Sequence, residues 1–332
     1  MSLHRRIPTP GSGRITLALL AIVPALMAYP WRSPRAYWLI GIAVAVLIVL
    51  FSWRRGLYLT TILRRRLAIM GRGNEFIAEP ASDTATTALL RIGASDGDSD
   101  VLPLPLIAKY LDRYGIRADK IRITSRDNSS DASRRETWIG LTISATDNLA
   151  ALQARSAAIP LHETAQVAAR RLADHLREIG WDATTVAPDD IPRLLTSNAR
   201  ENWRGVQRGV SDYLAAYQIH LDDRLAQTLD EIRSHPAMET CTALEIAGDG
   251  THITVAAACA FQTENPPDRG VPVAGLIPQR GNHLPALMAL DLLSTQRLDG
   301  HTEAPLDLLA RLDWPTLAGG AHRAPVVETA KT

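Results

Sequence analysis

The chain has 332 residues, 46% of them hydrophobic, and a formal charge of +1 that sets 36 basic against 35 acidic side chains. That length supplies one large domain or two small ones. Two cysteines exclude a disulfide framework, and the even charge balance excludes a chain that is basic throughout for nucleic acid. The balance hides an asymmetry. Residues 1–70 hold ten arginines, no lysine and no acid, which leaves 26 basic against 35 acidic side chains in the rest. A basic head on an acidic body fits a head that meets anionic lipid.

Residues 1–14 form a short basic N-terminus, followed by two apolar runs at 15–31 and 36–53. The second is eighteen residues without a charge, and about 17 to 20 apolar residues are needed to cross a bilayer core of about 30 Å. The first run qualifies with Thr16 and Pro24 accepted inside it, since a membrane helix tolerates proline where neighbouring groups satisfy the freed carbonyl. The sequence therefore predicts a transmembrane helical hairpin over 15–53 with "RSPR" at its tip. A cleaved signal peptide fits poorly, because another full-length span follows and "ALMA" lacks the small residue three positions before a cut.

Arginine counts orient the hairpin. Arg5, Arg6 and Arg14 precede it, Arg32 and Arg35 lie in the loop, and five more follow Trp53 by residue 66. Both termini are thus expected in the cytosol at the inner (plasma) membrane. Tyr29, Trp31, Tyr37 and Trp38 mark one interface, Trp53 and Tyr58 the other. Residues 54–72 read as a basic juxtamembrane helix in which Leu57, Leu59, Ile62, Leu63 and Leu67 interleave with arginines. The expected membrane-interface residues are Trp31, Trp38, Trp53, Arg54, Arg55, Arg64, Arg65 and Arg66. The arginines read as a positive-inside anchor on anionic lipid; the sharper alternative is a docking surface for a partner's acidic stalk.

Residues 73–102 are expected to be a linker, rich in Ala, Ser, Asp and Thr from residue 78. "GASDG" at 93–97 matches a nucleophile elbow only as a string, since "DGDSD" and two prolines follow where a helix is required. The same "DGDSD" fails as a calcium loop, with Val101 and Ile107 where Gly and Glu are needed.

A cytosolic α+β domain is predicted over 103–300. Its expected elements are a helix from Leu104 to Tyr114 ended by Gly115, then strands Ile121–Ser125 and Thr137–Thr146. A strongly amphipathic helix follows with Leu161, Ala165, Ala168, Leu172, Leu176 and Ile179 at a 3.6-residue period. Later come a strand from Tyr213 to His220, a helix from Leu221 opened by Asp222 and Asp223, a hairpin around Asp249-Gly250, and a helix near Asn282 to Leu293. A two-residue turn in the hairpin would set Ile246 against Ile253 and Cys259 against Thr240, with Cys241 on the other face. Both halves read as related α+β units. Residues 301–332 read as a C-terminal tail, frayed from Leu317.

Catalytic motifs are missing from the sequence. There is no Gly-Lys pair, hence no P-loop, and no CxxC or HExxH. Asp189-Asp190 and Asp222-Asp223 could do acid–base work, but acids at a helix start are mostly caps and dipole partners. No cofactor and no metal site are expected. The rival reading is a membrane-tethered, transferase-like enzyme acting on a nucleotide-activated or lipid substrate through scattered acids and arginines.

The block "TWIGLTISATDNLAALQARSAAIPLHETAQVAARRLADHLREIGW", residues 137–181, resembles the EccE family of mycobacterial type VII (ESX) secretion systems. "LPLIAKYLDRYGIRADKIRI" before it and the N-terminal "LALLAIVPALMAYPW" extend the likeness over residues 15 to about 300. The resemblance implies a non-catalytic component of the inner-membrane secretion complex beside EccB, EccD and the motor ATPase EccC. It also implies paired protomers in a hexameric assembly. Length and N-terminal sequence are similar to the paralogue of the iron- and siderophore-linked system.

Overall fold

A computed structural model of the chain describes residues 12–27, 34–51, 53–54, 57–71, 84–95, 101–129, 135–187, 190–195, 198–249, 252–304 and 306–316. These fall into two compact units, Met1–Arg72 and Gly73–Thr332.

In the first unit, helix α1 (Ser12–Met27) carries Pro24 inside it, and α2 (Pro34–Phe51) packs against it. Ala18, Ala25 and Ala43 are buried, small side chains that let two helices approach closely. Leu19, Leu20, Leu26, Trp38, Ile42 and Ile48 remain exposed. Among the described residues no helix is long and apolar enough to cross a membrane, so the pair does not by itself establish the expected transmembrane hairpin. Nor does the second helix reach Trp53. It ends at Phe51, and Trp53–Arg54 pairs with Leu57–Tyr58 as a two-residue antiparallel ladder. Helix α3 (Leu59–Gly71) therefore begins five residues later than the sequence suggested, after Gly56, a costly residue in a helix.

Among the described residues the second unit is one twelve-stranded antiparallel sheet with helices on its faces. Its main strands are β1 (Ala85–Ser95), β2 (Ile116–Asn128), β3 (Arg135–Ser144), β4 (Trp181–Thr185), β5 (Tyr213–Ile219), β6 (Glu239–Gly248), β7 (Ile253–Thr263) and β8 (Leu276–Pro278). The principal order is β4-β1-β3-β2-β6-β7-β5, and β8 pairs with the far side of β5. Helices α4 (Leu104–Ala108), α5 (Leu149–Arg155), α6 (Leu161–Glu178), α7 (Leu225–Ser234), α8 (His283–Leu290) and α9 (Leu306–Arg311) complete the unit.

The two halves share a topology. β1, α4 and the hairpin β2–β3 lie in the order β2-β3-β1; β5, α7 and the hairpin β6–β7 lie in the order β6-β7-β5. The halves meet where β2 pairs with β6. α4, α6, α7 and α9 cover one face over Leu90, Ile121, Ile123, Ile139, Leu244 and Val255. On the other, α8 covers Leu214, Ala216, Ala243, Ala256 and Ala258.

Several expectations are corrected. The linker expected over 73–102 contains the eleven-residue strand β1. Leu89 and Leu90 point to opposite covered faces, so "TALLRI" lacks the alternation that betrays a half-buried strand. The helix expected to run to Tyr114 stops at Ala108, continues as a 3₁₀ turn through Leu111, and gives way to a tight hairpin pairing Asp112–Arg113 with Ile116–Arg117. Tyr114 and Gly115, at φ 57° and 71°, are the two left-handed residues of its turn.

In the β6–β7 hairpin the faces are as expected but the register differs by two: Ile246 opposes Val255, Thr242 opposes Cys259 and Gly248 opposes Ile253. Residues 249–252 form the connection, closed by Asp249 N–H to the His252 carbonyl (3.0 Å) and His252 N–H to Asp249 Oδ1 (2.8 Å). A Cβ on Gly248 would sit 2.0 Å from the His252 carbonyl oxygen, so only glycine fits there. Cys241 and Cys259 are free thiols buried on opposite faces, and burial raises both pKa values, Cys241 to about 11.

Leu221 lies before α7, which starts at Leu225 because Asp222 accepts the N–H groups of Arg224 and Leu225 in a preceding turn. Part of the expected tail is built in: α9 packs on the core and buried Trp314 donates its Nε1–H to Ser125 Oγ (3.0 Å). Residues 317–332 lie outside the described residues.

Candidate functional site

The residues singled out from sequence do not converge. Trp31, Arg55 and Asp189 lie outside the described residues. Trp38 is exposed on α2, and Trp53–Arg54 form one strand of the small ladder. On α3, Arg64 and Arg66 are exposed and Arg65 is half-buried. Leu63, Leu67 and Met70 are exposed at i, i+4 and i+7, one apolar stripe with Arg64 and Arg66 on its two flanks. Asp190 and Asp223 are exposed, and Asp222 serves the turn before α7. Among the described residues no cluster of three His, Cys, Asp or Glu could hold a metal ion.

The structure brings together instead a group that the sequence reading missed. On β2 a bulge at Asp119 re-aims the strand, so that Ala118 and Ile121 share the α6 side while Lys120 and Arg122 point to the other face. Glu245 on β6 stands opposite Arg122, and all three are buried. Glu245 Oε2 receives Arg122 Nε (2.8 Å) and Nη2 (2.6 Å), with Lys120 Nζ at 3.6 Å. Its Oε1 receives the Leu298 N–H (3.0 Å) and His301 Nε2 (2.9 Å).

The remaining donors reach the backbone that follows α8. Arg122 gives hydrogen bonds to the carbonyls of Ala289, Asp291 and Gln296, and Lys120 Nζ also donates to Gln296. At the rim, exposed Arg297 pairs with Asp119 (2.5 Å). Segment 289–301 is thereby clasped across the junction of the two halves.

The electrostatics follow from burial. Desolvation, then the charge of Arg122, pushes Lys120 down to about 7 against the pull of Glu245. Desolvation would raise Glu245, but the His301 hydrogen bond and the charges of Arg122 and Lys120 outweigh it and hold the carboxyl at about 2. An ionised Glu245 fixes His301 as donor through Nε2 and leaves Nδ1, 3.1 Å from Thr254 Oγ1, to face that hydroxyl. A buried carboxylate with four donors and a fully engaged guanidinium make a clasp. The signal that could have exposed it is Glu245 itself, a lone acid in the apolar strand "TALEIAG", because a buried charge needs a partner.

A family model described as "Putative type VII ESX secretion system translocon, EccE" matches residues 131–219. The chain is 62% identical over 320 residues to the "ESX-3 secretion system protein EccE3" of Mycobacterium tuberculosis, covering 96% of each chain. It is 44% identical over 300 residues to the protein of the same description from Mycolicibacterium smegmatis, covering 90% of this chain and 94% of that one.

Proposed function

Because the chain belongs to the EccE family of type VII ESX secretion proteins, we propose that it is a structural, non-catalytic subunit that anchors at the membrane and buttresses its neighbours. It is a component of the type VII ESX secretion system. In this reading the neighbours are EccB, EccD and the motor ATPase EccC, with paired protomers in a hexameric assembly. Both termini lie in the cytosol at the inner membrane.

The observation that carries the reading is the apolar surface of the first unit. Leu19, Leu20, Leu26, Trp38, Ile42 and Ile48 face outward, and water is a poor solvent for so many large apolar side chains on one helix pair. Lipid or partner helices would cover them. Helix α3 adds a second contact, its Leu63–Leu67–Met70 stripe flanked by arginines in the manner of a helix lying at an anionic interface.

The test is topological. In the full-length chain, a cysteine replacing Ser33 should react with an impermeant reagent from outside intact spheroplasts, and one replacing Ser95 only after permeabilisation. Reaction at Ser95 from outside would sink the cytosolic placement of the α+β unit. Joint neutralisation of Asp189, Asp190, Asp222 and Asp223 should leave export unchanged; loss of export with normal assembly would favour an enzyme.

A further inference from the structure

The second unit carries a pocket of about 160 Å³ between α6 and the tight turn that precedes β2. Its wall is apolar, formed by Tyr110, Ile116, Leu141 and Val167 among others, and its rim carries Arg113, Arg155 and Arg171. An apolar cavity of about 150 Å³ admits a benzene-sized group.

Three features set this place apart. First, Tyr114 stands on the rim between two cations, its ring centre 5.1 Å from the Arg113 guanidinium and 4.8 Å from that of Arg171. Arg113 also lies 4.6 Å from the Tyr110 ring. Stacked guanidinium groups keep their in-plane N–H edges available for a carboxylate. Second, none of the three rim arginines makes an ion pair among the described residues. Glu163 is the one acid on the rim, and Asp174 and Glu178 border the adjoining depression. Third, the described non-glycine residues with positive φ are Tyr114, which lines the pocket, and Ile159, which precedes the lining residue Pro160. A bulky residue held left-handed is strained, and such strain persists where surroundings over-determine it. Both are exposed, at 57% and 39%, as is Val167 at 43%. Tyrosine and arginine around an apolar hole form the composition of an interface hot spot.

We propose that this pocket docks a segment of a partner protein that places one aliphatic or aromatic side chain in the hole, with flanking carboxylates received by Arg113, Arg155 and Arg171. Charge complementarity selects that occupant: three guanidiniums without an ion pair among the described residues, Arg113 holding the ring nitrogen of His175 at 3.3 Å, surround a cavity sized for a single side chain. An acyl chain outruns such a cavity. The inference deepens the reading of the chain as one subunit among several by giving it a defined receptor surface.

The experiment uses the full-length chain in cells, with a photo-crosslinking amino acid replacing Val167, and the same residue at Gln227 on α7 as the off-site control. Cross-linked peptides are then sequenced by mass spectrometry. The expected product joins Val167 to another protein at an apolar residue with Asp or Glu on both sides, and the paired substitution Arg113→Glu with Arg171→Glu lowers its yield at least about tenfold, as expected for loss of a hot spot. Products with lipid or with a second copy of this chain, an acid-free target peptide, or a yield unmoved by charge reversal would each overturn the proposal. Co-purification of the other secretion subunits is scored in parallel. Retained co-purification without the expected cross-link refutes the pocket and leaves the subunit reading intact, whereas loss of co-purification from the unsubstituted chain refutes both.

Discussion

Arg122 and Glu245 face each other across the ladder that joins the two halves of the sheet, 2.6 Å apart, and the same two side chains hold segment 289–301 against that ladder. A single carboxylate therefore ties together β2, β6 and the chain after α8. Its removal leaves two buried cations facing each other without a counter-charge, which is the costly way to break an ion pair.

Glu245→Gln in the full-length chain should lower stability by about 3–5 kcal/mol, read as a lower unfolding midpoint in denaturant. Arg122→Leu and Glu245→Leu combined with Lys120→Met should recover much of that loss, because none of the three charges is then left buried without its partner. A triple variant as unstable as the sum of the single ones would show that the three groups are not coupled.

Lys120 gives a pH signature. Its folded pKa of about 7 lies below the ordinary lysine value of 10.5, so between these limits the unfolded chain binds a proton that the folded chain does not. Stability from this group therefore rises with pH across that window, and its penalty is fully present below pH 7. Measured from pH 7 to 9, the stability of the unsubstituted chain minus that of Lys120→Met should climb, approaching about 1.4 kcal/mol per pH unit. Glu245 acts at the other end: its contribution is present above pH 4.5 and is lost as pH falls toward 2. A flat difference from pH 7 to 9 would mean that Lys120 is not desolvated.

Leu172 is fully buried in the stripe of α6 that covers β1 and β3. Leu172→Ala should cost about 2–5 kcal/mol, seen as loss of the chain from membranes or a large drop in unfolding midpoint. Ile179 belonged to the stripe on sequence grounds yet is exposed, so Ile179→Ala should fall within about 0.5 kcal/mol of the parent.

On α3, replacing Arg64, Arg65 and Arg66 with glutamate should weaken retention on anionic vesicles by about 1 kcal/mol per residue or more, and replacement with lysine should change it little. A severe effect of lysine would point to planar, bidentate pairing with carboxylates on another protein.

What could be read from sequence divides along physical lines. The α6 stripe was legible because apolar residues recur with the helical period on one solvated helix, and β5 because an apolar run ends in turn residues. β1 was illegible because both its faces are covered, which erases alternation. The β6–β7 faces came out right since parity alone fixes them. The register did not, because Asp249-Gly250 signals a two-residue turn while the Asp249 side chain closes a longer one on His252. The clasp was out of reach for another reason: Arg122 and Glu245 are 123 residues apart, and only the pairing of β2 with β6 makes them neighbours.

The bulge that turns Lys120 and Arg122 to one face also governs what happens during synthesis. Until β6 has been made, β2 is the open border of the first half, an unpaired strand of the sort that invites a second copy to add on. Two cations projecting from it, with Arg126 further along, make a copy of itself a repelling match. The border it finally accepts carries Glu239 and Glu245. Opposite charge on the two borders thus selects the correct joining of halves over self-association of nascent chains, and the cost of enclosing those charges is met only when residues 289–301 arrive to close over them.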